Sequence, residues 1–274
     1  MNLAFKEAVE TYLSPVREQF NYQVLLNNHL DSSRFHPWIE QLSNYRTITG
    51  ASVLSSGCGS GGDLESFLLY GASHVTGIEV DTGLSNLAHH RFAGTSSESQ
   101  VEILTYDGYE LPLPSSTFDI VFSMHVIEHT KNVGQYLGEL LRVLKVGGIL
   151  FLELPNRYFK YEQHINMPYI HHLPRPIRNR FVTAVLKSPI GRRMDETNRF
   201  KLGTMYDYHI PSPKDLVASI QTQPAKSGVQ LIDAHFHSYS LKTLPFEQAK
   251  LGYYRGDARK ESTFRMVVGK VETK

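Results

Sequence analysis

Apolar residues along the chain follow two different periods, and the change from one to the other divides the sequence into segments. Over residues 1–46 the spacing is helical: Leu3, Val9, Tyr12 and Leu13 suggest one face, and Val16, Phe20, Val24 and Leu25 another after Pro15. Pro37 suits the first turn of a short helix carrying Trp38, Ile39 and Leu42. This stretch reads as a helical N-terminal cap or lid. From residue 51 short β-like runs alternate with helical ones. "ASVLSS" runs into four glycines within six residues, Gly57, Gly59, Gly61 and Gly62. "DLESFLLYG" follows as a helix with Gly71 as its stop. "HVTGIEV" is a strand, "TGLSNLAHHRF" a helix, "QVEILTYD" a third strand and "TFDIVFSMHV" a fourth. In "NVGQYLGELLRVLKVGG" one stripe joins Val133, Tyr136, Leu137, Leu140, Leu141 and Leu144, and Gly147-Gly148 marks the expected end. "ILFLELPN" scarcely alternates, which suits a strand buried on both faces.

The rhythm breaks over residues 157–213, a stretch rich in Pro, His, Tyr and Arg and too long for a plain loop. It reads as an insert with short helices of its own, forming a lid on the acceptor side. The alternation resumes with a helix in "SPKDLVASIQ" and strands in "VQLIDAHFHSYS" and "STFRMVVGKVE". Apolar strands alternating with helices predict an α/β fold around a doubly wound, mostly parallel sheet. The expected organisation is a cap over 1–46 and a main domain over 47–274 that carries the insert.

Composition narrows the chemistry. The 274 residues carry a net charge of +1, so bulk charge does not make the protein a polyanion binder. Cys58 is the only cysteine, which excludes an internal disulfide and fits a reducing compartment. The opening "MNLAFKEAVE" lacks the basic start and apolar run of a secretory signal, and no apolar run is long enough for a bilayer, so the expected location is cytoplasmic.

A glycine loop between a first strand and a first helix exposes backbone N–H groups to a ligand at the C-terminal edge of a parallel sheet. Two cofactors fit this loop. Gly57, Gly59 and Gly62 satisfy the G-x-G-x-x-G dinucleotide pattern, with Glu79 about 20 residues on. That pattern alone is weak evidence, because short glycine motifs recur in many contexts.

The series of motifs in order resembles the class I S-adenosylmethionine-dependent methyltransferases. "VLSSGCGSG" is similar to their first motif, "VTGIEVD" to their second strand, and "LTYDGYELPLPSSTFDIVFSMHVIEHT" to their third and fourth strands. "LLRVLKVGGILFLELPN" is similar to their helix, Gly-Gly turn and fifth strand. The resemblance covers about residues 50–156 and implies a Rossmann-like sheet of seven strands, one of the last pair antiparallel. It implies S-adenosylmethionine as cofactor and S-adenosylhomocysteine as product. It places the methionine part against Ser55, Gly57, Cys58, Gly59 and Gly61, the ribose on Glu79 and the adenine amino group near Asp107 and Gly108. Met124 and His125 would line the pocket between cofactor and acceptor. A carboxylate's two oxygens suit a ribose diol. One departure stands out: the family usually has an acid where Ser55 stands. Either cofactor binding is weaker, or Asp63 or another group compensates.

Methyl transfer from a sulfonium needs alignment, and a base if the acceptor is a hydroxyl. "LPNRYFKYEQHINMPYIHHLPR" resembles, more loosely, a stretch after the fifth strand of some bacterial methyltransferases. His164 is the expected base, with His129 second; Tyr158, Tyr161, His171, His172 and Arg175 are expected acceptor contacts. His125 and His129, four apart, could share a helix face, but no HExxH or carboxylate cluster completes a metal site, so no metal is expected. Eight Lys and Arg between Pro174 and Lys201 suit an anionic acceptor or a solvated face. No nucleic-acid module is recognisable. The expected function is methylation of oxygen on a small polar, glycan-like or secondary-metabolite acceptor. The alternatives are N- or C-methylation, an NAD-dependent oxidoreductase, and a non-catalytic cofactor-binding relative.

Overall fold

The computed structural model describes residues 2–18, 22–162, 165, 167–194, 199, 202–203, 205–206, 208–221, 228–237 and 262–272. The strands are β1 (Ser52–Ser56), β2 (His74–Glu79), β3 (Val101–Thr105), β4 (Phe118–Met124), β5 (Leu144–Pro155), β6 (Val229–His237) and β7 (Thr263–Lys270). They form one sheet of seven in the order β3-β2-β1-β4-β5-β7-β6. The first five run parallel, and β7 lies antiparallel between β5 and β6. This is the Rossmann-like topology expected from the sequence, including the reversed strand.

Period-two alternation in β1 sends successive side chains to opposite faces. Leu54 joins Ile78, Val121, Leu150 and Leu152 under α6 (Val133–Val143) and α9 (Pro213–Gln221). Val53 joins Val75, Ile120, Phe122 and Phe151 under α3 (His36–Ser43) and α4 (Gly62–Leu69). Trp38, Ile39 and Leu42 of α3 belong to this second layer, so the N-terminal segment is rooted in the core. Further upstream, α1 (Leu3–Tyr12) and α2 (Tyr22–Leu30) bury Phe5, Val9 and Leu26 against Leu87 of α5 (Thr82–Phe92).

One boundary differs from the periodic reading. α6 ends at Val143, and Leu144 already opens β5, paired with Phe118. The backbone N–H groups of Ser116 and Thr117 donate to the carbonyls of Arg142 and Val143. Pairing with β4 therefore claims the last apolar position of the stripe before the glycines are reached. In the insert, α7 (Arg175–Lys187) and α8 (Pro189–Arg193) form, as expected. Val182, Leu202, Met205 and Tyr208 anchor it in the same core cluster as α6.

Candidate functional site

The glycine loop sits where β1 and β4 end, at the C-terminal edge of the parallel strands. Gly57, Gly59 and Gly61 all have positive φ, at +77°, +54° and +78°. Each has a different reason to lack a side chain. A Cβ on Gly57 would lie 2.3 Å from Val126 Cγ2, and one on Gly61 would crowd Ala88 and Phe92. A Cβ on Gly59 would meet nothing within 4 Å. Glu79 organises this loop: Oε2 accepts from Gly59 N–H at 2.9 Å, while Oε1 accepts from Val80 and Asp81 N–H at 2.8 and 3.1 Å. A carboxylate has about four acceptor sites, so Glu79 keeps room for roughly one more donor.

A cavity of about 290 Å³ opens on the loop. From the expected set Ser55, Gly57, Cys58, Gly59, Met124 and His125 line it; Gly61 and Glu79 do not, and neither do Asp107 and Gly108. Those two form an exposed Asp-Gly turn in which Asp107 Oδ1 accepts from Tyr109 N–H and Gly108 has φ +86°. The serine at 55 is not alone: its hydroxyl donates to Oδ2 of Asp63, a buried carboxylate that lines the same cavity. Burial pushes the Asp63 carboxyl up to about 6, against the pull of the Ser55 hydroxyl and the Leu64 N–H. The acid absent from β1 is thus present one turn into the fold, on α4.

This shift has a stability consequence. Asp63 takes its proton near pH 6 in the folded chain and near 4 when unfolded. Its contribution therefore favours the fold below pH 4 and turns against it as pH rises through 6. Asp63→Asn removes that cost and should stabilise the ligand-free protein at pH 7.5 by up to about 3 kcal/mol. Thermal unfolding at pH 7.5 and pH 5 checks it: the gain over wild type should shrink at the lower pH.

His125 closes one wall in a left-handed conformation, φ +56°, with its N–H donating to Glu153 O. Nδ1 lies 3.4 Å from Glu128 Oε1 and Nε2 3.9 Å from Glu153 Oε1. Burial opposes charge on this ring, but the hydrogen bonding and charge of Glu128, with the charge of Glu153, hold its pKa above the usual histidine range. Glu153 is itself gripped by Trp38 Nε1–H at 2.8 Å and Arg265 Nε–H at 2.8 Å. His125 and His129 do not share a helix face, because β4 passes into a short 3-10 turn over Ile127–His129. His129 is exposed against the Tyr208 ring and does not line the cavity. Among the described residues no group of three or more His, Cys, Asp or Glu could hold a metal.

His164 lies outside the described residues. His171 is buried, its Nε2 3.2 Å from Arg157 O; burial and the neighbouring His172 lower its pKa to about 4. Tyr158, Tyr161, His172 and Arg175 are exposed in the insert. The basic run divides: Arg178 is buried and donates to Tyr208 O, and Arg199 donates to Gly191 O, while Arg192 and Arg193 face solvent. Four cavity residues come from the N-terminal segment, Asn28, His29, Arg34 and Phe35. Nothing in their local sequence marks them, because the contact depends on how α2 and α3 dock.

Residues 54–152 match the methyltransferase domain family. Over 113 residues the chain is 34% identical to a ubiquinone biosynthesis O-methyltransferase of a Bradyrhizobium species, covering 41% of this chain and 43% of that protein. Over 118 residues it is 36% identical to a tRNA U34 carboxymethyltransferase of Shewanella woodyi, covering 42% of this chain and 35% of that one. The chain thus matches less than half the length of these curated relatives. The solved S-adenosylmethionine-dependent methyltransferase of Mesorhizobium loti superposes with a TM-score of 0.55 at 14% identity, over 84% of this chain and 96% of that one. Residues 54–152 thus resemble a methyltransferase domain, and the fold around them is the Rossmann-like one of the solved S-adenosylmethionine-dependent methyltransferase. The pocket fits S-adenosylmethionine: open space above Gly59, a carboxylate in the cavity wall and an organised loop on Glu79 are what a cationic, adenosyl-bearing ligand requires.

Proposed function

We propose that the protein is an S-adenosylmethionine-dependent methyltransferase acting on oxygen of a small polar, glycan-like acceptor. The observation that carries the reading is the Ser55–Asp63 pair in the wall of the cavity beneath the Glu79-organised loop. When bound, the cofactor supplies a methyl group already activated by its sulfonium. The chain's task is then orientation and proton removal. Gly59 leaves space for close approach, and Glu79 fixes the loop that defines the floor. Met124, Phe122 and His125 line the cavity and are the proposed wall toward the acceptor. The lid is the proposed source of the base, with His164 the candidate by its place in the sequence; His129 is the second candidate, outside the cavity lining. A small acceptor is favoured over nucleic acid by the near-neutral charge and by the use of Arg178 and Arg199 as internal donors.

Calorimetric titration with S-adenosylmethionine, S-adenosylhomocysteine and NADH tests the reading. Micromolar binding of both sulfur compounds, lost in Glu79→Ala, is the expected result. Binding of NADH alone would make the protein an oxidoreductase, and silence with all three a scaffold without cofactor. With binding in hand, a panel of hydroxylated small molecules, sugars, amines and tRNA identifies the acceptor class. His164→Ala should then slow turnover at least a hundredfold without weakening cofactor binding. Unchanged turnover removes His164 from the mechanism.

A further inference from the structure

We propose that the outer side of α7 and α8 in the insert is a docking surface for a bilayer that carries anionic lipid. Docked there, the protein takes an acceptor carried on a lipid. Docking itself is independent of the methyltransferase reading; the lipid-borne acceptor rests on it.

α7 has two unlike sides. Inward, Val182 joins the main core and Arg178 donates to Tyr208 O at 2.6 Å. Outward, Ile177 is 55% and Phe181 40% exposed. They are four residues apart, so they stack on one face of the helix, and the exposed Ala184 extends the row by another turn. In α8, which follows directly, Ile190 is 71% exposed. Single exposed apolar residues are ordinary, whereas a helical row of them marks a contact surface.

Charge selects the partner. No Asp or Glu occurs between Glu162 and Asp195. Arg180 lies three residues after Ile177 and Lys187 three after Ala184, so both exposed cations border the apolar row. Arg192 and Arg193, also exposed, end α8. The first turn of α7 has no acid and opens on Arg175, so the positive end of the helix dipole adds to the same field. Nucleic acid would use the cations and leave Ile177 and Phe181 in water. A second copy of this chain would set like charges against each other. A bilayer with anionic headgroups takes both halves, the apolar row at the acyl boundary and the cations among the phosphates.

This surface is tied to the candidate site. Tyr208, which accepts from Arg178, is followed by His209, whose N–H donates to Glu128 O at 2.8 Å. Glu128 belongs to the 3-10 turn that comes two residues after His125 of the cavity wall. Two hydrogen bonds thus link α7 to the segment that leaves the cavity.

Cosedimentation of the full chain with vesicles tests the docking, using phosphatidylcholine alone and phosphatidylcholine mixed with phosphatidylglycerol. Wild type should bind the mixed vesicles at least about tenfold more tightly, and less so as salt rises. Ile177→Ser/Phe181→Ser and Arg180→Gln/Lys187→Gln should each weaken that binding about tenfold or more, the first through apolar contact and the second through charge. Both variants should unfold at the temperature of wild type, since they change only exposed positions; if the serine variant does not, the charge variant alone decides. Vesicle binding needs no cofactor, so it is read apart from the S-adenosylhomocysteine titration. Absence of vesicle binding overturns the proposal, as does equal binding to the two vesicle types or binding that neither variant weakens. Self-association lost in the serine variant, with vesicles ignored, would make the face an interface between copies instead. Retention of tRNA in place of vesicles would make it a site for nucleic acid.

Discussion

Replacing Arg265 by methionine should cost about 3–5 kcal/mol of folding stability, the range for breaking a buried ion pair from one side. Glu153 is fully buried near the C-terminal end of β5, and Arg265 reaches it from the neighbouring antiparallel β7. Methionine fills much of the guanidinium's space over the Phe151 ring, 4.8 Å from its centroid, but takes the guanidinium's charge and donors away from a carboxylate that Trp38 and a more distant His125 also face. The free energy lost is chiefly that of an uncompensated charge, not of volume. Arg265→Met/Glu153→Gln should therefore recover most of it, because the buried charge is gone and the amide oxygen still accepts from Trp38. Urea unfolding of the single and double variants is the measurement. A double variant as unstable as the single one would show that Arg265 acts through packing alone. The network also bears on the site, since Glu153 fixes the backbone N–H of His125 and faces its Nε2.

The second large effect is expected at Gly57→Ala, about 2–5 kcal/mol, from two additive sources. A left-handed backbone costs an L-residue roughly 1–2 kcal/mol, and an unaccommodated methyl in a packed site roughly 1–3. The φ of +77° sets the first, and Val126 Cγ2 at 2.3 Å from the new Cβ sets the second. Trimming the neighbour separates them: in a Val126→Ala background the added cost of Gly57→Ala should fall to the backbone share. Gly59→Ala gives the contrast, since its methyl meets nothing within 4 Å and only the backbone cost remains. Its main effect should appear in S-adenosylhomocysteine affinity, where the methyl enters the open space of the pocket. If Gly57→Ala unfolds like wild type, the loop tolerates side chains and its glycines have another reason.

Much of the fold and part of the site were legible in the residues themselves. Apolar runs of strand length, punctuated by glycine and interleaved with helical stripes, determined a parallel α/β sheet, because only a strand buried on both faces can do without alternation. Four glycines at the first strand-to-helix junction marked the loop expected to meet a ligand; Glu79 was expected to meet a ribose, and its carboxylate holding the loop came to view only in the structure. These are local facts: a positive φ or a buried period is written in one short segment. Tertiary structure alone decided the rest. It ended α6 at Val143 because β4 pairs with Leu144, and it turned the expected His125–His129 face into a strand end and a 3-10 turn. Asp63 was in view from the sequence as a substitute for the missing acid, but its hydrogen bond to Ser55 depends on how α4 follows the loop. Arg34 lies 29 residues from Asp63, with which it lines the cavity, and Arg265 lies 112 residues from Glu153, distances over which no periodicity carries information. Such contacts are fixed by which apolar faces dock, and the charges ride on the elements that those faces bring together.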